Sequence, residues 1–201
     1  MIEKELGVSH QEAVKYYIAT PATTNFYLEA FKKYREKQEF QFVWSWWAFF
    51  FGIAFYIYRR LYLEAFVAFI PTLTLTILRF TEGSLIIWGG WQFSYLIIAT
   101  LISLTLYTRL YKELKIYLIL NILFSLWGVG NVIFTALSLC LDAVFAGFFV
   151  YQRYQRVLYT AKQYDVKDDK LLTSLNDLGG VNNWVFLIIL LWVLFIVNYL
   201  F

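Results

Sequence analysis

Charge is the first thing this sequence has little of. Asp, Glu, Lys and Arg make up 15% of its 201 residues, against about 25% in soluble globular domains. Cysteine and histidine occur once each. The lone Cys140 excludes an intrachain disulfide framework and a thiolate metal site. The lone His10 excludes a His-based metal cluster or a histidine proton relay. Two prolines and ten glycines are too few for linkers or low-complexity tracts. No nucleophile–base pair, phosphate-cradling glycine loop or metal-spaced cluster stands out either. Neither enzymatic activity nor a cofactor is therefore expected.

Apolar residues take the place of the missing charge. They make up 61% of the chain, and 22% is aromatic, with 8 Trp, 16 Tyr and 20 Phe; mean hydropathy is +0.59. Soluble domains carry about 45–50% apolar residues, and this many rings would leave large apolar patches on a small soluble core. The surplus is expected to face lipid. That points away from an ordinary soluble enzyme, a disordered chain and a nucleic-acid-binding domain. Membrane lipids are the expected partners, with a second copy of the chain or another membrane protein as further candidates.

The expected fold class is all-α, a polytopic transmembrane helical bundle. Residues 1–41 read as a cytoplasmic, amphipathic N-terminal segment, and 42–201 as the bundle with a cytoplasmic loop at 152–183. Ser9 and Glu12 form an S-x-x-E capping box for a helix to about Ala19, interrupted by Thr20-Pro21. A second helix is expected over 25–39, with Phe26, Ala30, Phe31 and Tyr34 on one side. The first apolar run begins at Phe42, so no secretory signal is expected.

Apolar runs follow at 44–58, 61–78, 85–107, 116–151 and 184–201. Crossing about 30 Å of hydrocarbon takes about 20 helical residues. The run 44–58 is too short and reads as a re-entrant or interfacial helix. The run 116–151 is nearly two spans, with Gly128-Val129-Gly130-Asn131 where a hairpin would turn; a single tilted helix is the alternative. With the hairpin, about five spans place every Lys and Arg except Arg79 on one side, as the positive-inside rule asks. The expected location is thus a bacterial inner (cytoplasmic) membrane, multi-pass, with the N-terminus cytoplasmic. Tyr62, Tyr107, Tyr111, Tyr117, Tyr151, Tyr154 and Trp184 then gather at the cytoplasmic interface. Trp88, Trp91, Trp127 and Tyr199 gather at the opposite one. In the last loop, Asp168 caps a helix with Leu171, Leu172, Leu175 and Leu178 on one face, ending at Gly179-Gly180.

The run Trp46-Trp47-Ala48-Phe49-Phe50-Phe51-Gly52, followed by Tyr58-Arg59-Arg60-Leu61-Tyr62, resembles a family signature. It is similar to the pattern W-x-A-F-F-F-G-P, then Y-R-K-M-Y, of small bacterial inner-membrane proteins grouped as domain of unknown function 2628. Tyr27, Phe31 and Tyr34 resemble the family's aromatic lead-in, and residues 146–159 its weaker later motif. Ile53 stands where the family has Pro, and Phe148 or Phe149 where it often has Asn. The resemblance implies inner-membrane residence and supplies no catalytic residue.

Two constellations are candidates for function. Trp44, Trp46, Trp47 and Phe50 form an aromatic wedge beside Arg59, Arg60 and Tyr62. Arg59 and Arg60 would grip lipid phosphates, or Arg60 would simply pair with Glu64 at i, i+4. The second centres on Asp142. Asn131, Thr135, Ser138 and Asp142 recur at helical spacing, with comparable lines at Thr72 and Thr76 and at Asn121 and Ser125. A carboxylate at mid-bilayer costs about 2.5–3.5 kcal/mol and should face protein or water. These residues would line a path for a small solute, proton or cation, or act as hydrogen-bonding glue between helices. The small residues Ala136, Cys140, Ala143 and Gly147 on another face read as a close-packing seam. The leading functional expectation is a non-enzymatic protein acting through lipid or a membrane partner at its cytoplasmic face; transport through Asp142 is the alternative.

Overall fold

Ser9 accepts the Glu12 backbone N–H at 3.2 Å and so starts the first helix, α1 (His10–Ile18). Ala19 ends it in the left-handed region, with φ of 50°. The next helix, α2 (Pro21–Lys37), begins earlier than the hydrophobic pattern suggests. Proline is favoured at a first helical position, where its fixed φ helps and its missing N–H costs nothing. The computed structural model describes residues 7–37, 40–69, 112–127, 132–166 and 168–185. It continues with α3 (Trp46–Phe51), α4 (Ile53–Tyr58), a helical stretch at 62–69, α5 (Lys112–Trp127), α6 (Val132–Gln163) and α7 (Asp168–Leu178). All regular structure among the described residues is helical.

The long helix α6 is the axis of the fold. From Phe145 to Val150 every residue is buried, as expected of a helix covered on all sides. One side takes α2, whose Tyr27, Ala30, Phe31 and Tyr34 recur at i, i+3, i+4 and i+7 and are all buried. Phe31 meets Tyr151 and Tyr154 with ring centroids 5.2 Å away in each case, and Tyr34 meets Phe148 at 5.4 Å. Another side takes α5 through Leu114, Tyr117, Leu118, Asn121 and Ile122, again a single helical face. The short α3 lies against α6, tethered where the Ser45 N–H donates to the Ala143 carbonyl at 2.9 Å. Leu171 and Leu175 of α7 are buried, and that helix packs on α1. Gly180 follows with φ of 48°, and its N–H donates to the Tyr17 carbonyl at 2.8 Å.

Among the described residues, no helix is long and apolar enough to cross a membrane. This overturns the expected polytopic transmembrane bundle, and with it the multi-pass inner-membrane placement and its sidedness. The run 44–58 is two six-residue helices broken at Gly52, each only about 9 Å long at 1.5 Å per residue. The helix α5 reaches about 24 Å with its 16 residues. Length is present in α6, which has 32 residues. Its C-terminal half carries Arg153, Arg156 and Lys162; before that, residues 142–150 are mostly buried, whereas Ala136, Leu137 and Leu139 are exposed. Part of the aromatic content, including Tyr34, Tyr56, Tyr117, Phe149 and Tyr154, fills a core of edge-to-face and tilted ring pairs, a favoured use of such rings. The expected cytoplasmic belt dissolves accordingly: Tyr117 and Tyr154 are core residues, whereas Tyr62 and Trp184 are exposed. The expected runs at 70–78 and 85–107, most of 184–201, the turn at 128–131, Trp88, Trp91, Tyr107, Tyr111 and Tyr199 lie outside the described residues.

Candidate functional site

Three aromatic rings on α3 face outward. Trp46, Trp47 and Phe50 are 63%, 59% and 70% exposed. Ser45 sets their direction: its side chain accepts the Ala48 N–H at 3.4 Å and caps the helix, and Ala48 points inward and is fully buried. Trp46 stacks on Phe50 with centroids 6.1 Å apart, and Trp47 on Phe51 at 5.6 Å. The rings thus form two parallel pairs on one surface. Trp44 is half-buried at the edge of this surface, in edge contact with Trp46 at 5.4 Å. Exposed Phe42 stacks on Trp44 at 6.5 Å and extends the surface.

The two arginines expected to reach outward do something else. Arg59 is buried. Its Nη1 donates to the Ile18 carbonyl at 2.9 Å and its Nη2 to Thr23 Oγ1 at 3.1 Å. The guanidinium lies over the Tyr27 ring at 5.0 Å and beside Tyr58 at 5.5 Å. Arg59 therefore joins α4 to the α1–α2 corner. Arg60 sits in the left-handed region, with φ of 57°, outside helical register. It donates to the carbonyls of Asp177 and Val181. The expected Arg60–Glu64 pair is replaced by Arg156–Glu64, at 2.8 Å. Tyr62 is exposed, its hydroxyl 3.5 Å from the Asn182 amide.

Beside Arg59 is a pocket of about 250 Å³. Trp47, Phe51, Phe55 and Tyr58 line it together with Thr20 and Thr23 of the α1–α2 corner. Trp47 and Phe51 also belong to the exposed aromatic surface, so the pocket is continuous with it.

Asp142 occupies a different place, between α4, α5 and α6. It is buried. Tyr56 donates to its Oδ1 at 3.3 Å, and Tyr117 donates to the same oxygen. Asn121 lies one turn along α5 and donates to the Tyr117 carbonyl at 3.3 Å. Burial pushes the Asp142 carboxyl up to about 7, although the two tyrosine hydrogen bonds pull the other way. Burial also raises both tyrosine hydroxyls well above their ordinary range, so they remain donors. This is hydrogen-bonding glue between three helices, with a carboxylate at its centre. Thr135 and Ser138 lie on α6 but their side chains are outside the described residues, as are Asn131, Thr72 and Thr76. In the small-residue seam, Ala143 is buried but Ala136 is exposed.

Sequence reasoning missed Tyr56 and Tyr117 as partners of Asp142, because they lie 86 and 25 residues away in the chain. It missed Thr20 and Thr23 for the same reason. Among the described residues no group of three or more His, Cys, Asp or Glu could hold a metal ion. No family model, curated protein or solved structure matches this chain.

Proposed function

We propose that this protein is a non-enzymatic lipid-binding protein that lays the aromatic face of α3 on a lipid surface. One observation carries the reading: Trp46, Trp47 and Phe50 leave more than half of their surface exposed on a helix of six residues. Exposed large rings are ordinary one at a time, but a contiguous group marks a contact surface. Indole and phenyl rings favour the headgroup level of a bilayer, where a polar edge and an apolar face are both satisfied. Each fully buried large side chain is worth about 1.5–3 kcal/mol. Three rings therefore support reversible adsorption, comparable with a single lipid chain. The net charge of +3 favours anionic over neutral lipid.

Sedimentation with phosphatidylglycerol vesicles tests this. The wild type co-sediments, and its tryptophan emission shifts to the blue. Replacing Trp46 and Phe50 together by serine reduces the bound fraction about tenfold or more, from the lost burial, without lowering the unfolding midpoint. Wild-type protein that stays in the supernatant would overturn the reading, as would a double variant that binds as well as wild type.

A further inference from the structure

Arg59 is 5% exposed, and each group it touches is neutral: the Ile18 carbonyl, the Thr23 hydroxyl and the faces of Tyr27 and Tyr58. Among the described residues no carboxylate forms an ion pair with it. Its Nε is buried and has no hydrogen-bond acceptor. A buried cation is expensive unless an opposite charge accompanies it. Thr20 and Thr23 line the pocket with Arg59, but most of the rest of the lining is rings and aliphatic groups, among them Trp47, Phe51, Phe55 and Val185.

A buried cation with no ion-pair partner among the described residues, beside an apolar pocket, suits an amphiphile of a particular kind, with one negative charge at the end of an apolar body. We propose that the pocket binds a medium-chain fatty acid, its carboxylate against Arg59 and its alkyl chain along Phe55 toward Trp47 and Phe51. The charge matches one for one, whereas a phosphate ester dianion would leave a charge unbalanced. An apolar cavity of about 150 Å³ stays dry and accepts benzene. The present 250 Å³ accommodates the head and first part of the chain, and the remainder emerges on the exposed aromatic surface. This goes beyond adsorption to a lipid surface, because a free fatty acid needs no membrane in order to bind.

Titration calorimetry with decanoate, decanol and decyl phosphate, each below its micelle concentration, tests the assignment. Decanoate gives saturable binding to the wild type. Decanol binds about tenfold or more weakly, having lost the charge-assisted hydrogen bonds, and decyl phosphate binds no tighter than decanoate. Arg59→Gln removes the preference for decanoate over decanol. Arg59 also holds the end of α1, so a second variant, Ala54→Phe, narrows the pocket from α4 while keeping the arginine; it abolishes binding of decanoate. The double variant at Trp46 and Phe50, neither of which lines the pocket, retains decanoate binding, so the two proposals fail separately. Absence of saturable decanoate binding overturns the assignment. So does equal affinity for decanol, tighter binding of decyl phosphate, or wild-type decanoate affinity in Ala54→Phe. If Arg59→Gln does not fold, the decanol comparison and Ala54→Phe decide.

Discussion

Tyr117 on α5 donates its hydroxyl to the carboxylate of Asp142 on α6, and Tyr56 on α4 donates to the same oxygen. The pair makes Asp142 the joint of three helices, and burial gives that joint a pH dependence. Its carboxyl is raised from 3.8 to about 7, so between those values the folded protein keeps a proton that the unfolded chain has lost. The stabilisation is complete below about pH 4, falls as pH rises through the window and is gone above about pH 7. The slope is on the order of 1 kcal/mol per pH unit. Urea midpoints measured from about pH 5 to about pH 8 should therefore fall for the wild type and stay flatter for Asp142→Asn. Parallel curves for the two proteins would remove Asp142 as the titrating group.

Gly52 separates α3 from α4 and touches the same joint. Its φ is 45° with ψ of −119°, a conformation that side chains rarely adopt. A Cβ there would stand 3.2 Å from Asp142 Oδ2. Gly52→Ala should thus combine backbone strain with a tight contact, costing about 1–3 kcal/mol. A loss below about 0.5 kcal/mol, in the range of neutral surface changes, would show that the helix break is not built on this glycine.

Local signals were readable without a structure. Ser9 with Glu12 and Gly179-Gly180 act within a few residues and lie at the helix boundaries expected, whereas Pro21 opens α2 earlier than expected and, of the four leucines of α7, Leu171 and Leu175 are buried and Leu178 is exposed. The destination of the aromatic rings was not readable. A tyrosine suits a lipid interface and a core with a hydroxyl partner equally well, so Tyr117 and Tyr154 pointed to the wrong surface. Arg59 misled for a related reason: an arginine beside tryptophans reads as a phosphate grip, and only the fold brings the Ile18 carbonyl and Thr23 to it. The exposed rings of Trp46, Trp47 and Phe50 lie in a run that the sequence already marks as too short to span and unusually dense in Trp.

Glu64 and Arg156 illustrate an interaction that sequence spacing misassigned. Glu64 is 2% exposed, whereas the Arg156 side chain is half exposed and 2.8 Å away. Removing Arg156 takes the nearest cation from the buried Glu64 carboxylate. A double-mutant cycle with Glu64→Gln and Arg156→Ala should give a coupling of about 1–3 kcal/mol. The parallel cycle with Arg60→Ala in place of Arg156→Ala should give less than about 0.5 kcal/mol, the limit for residues that share no contact. A larger coupling to Arg60 would restore the pairing expected from spacing.

Tyr34 and Gly147 form a sterically coupled pair between α2 and α6. The Tyr34 hydroxyl is buried without a hydrogen-bond partner, and a Cβ on Gly147 would lie 3.0 Å from it, with the next ring atoms at 3.9 Å or more. Tyr34→Phe removes an unsatisfied polar group and should be neutral or stabilising by about 0.5–1 kcal/mol. Gly147→Ala alone should gain helix propensity of up to about 1 kcal/mol but lose at least as much to the clash, because a well-packed interior tolerates added volume poorly. In the Tyr34→Phe background the clashing oxygen is gone and the alanine meets only ordinary van der Waals contacts. The double variant should therefore be more stable than either single variant, with a non-additivity of about 1 kcal/mol. Thermal unfolding of the four proteins measures this directly, and strict additivity would mean that α2 shifts away from α6 when the methyl group is introduced.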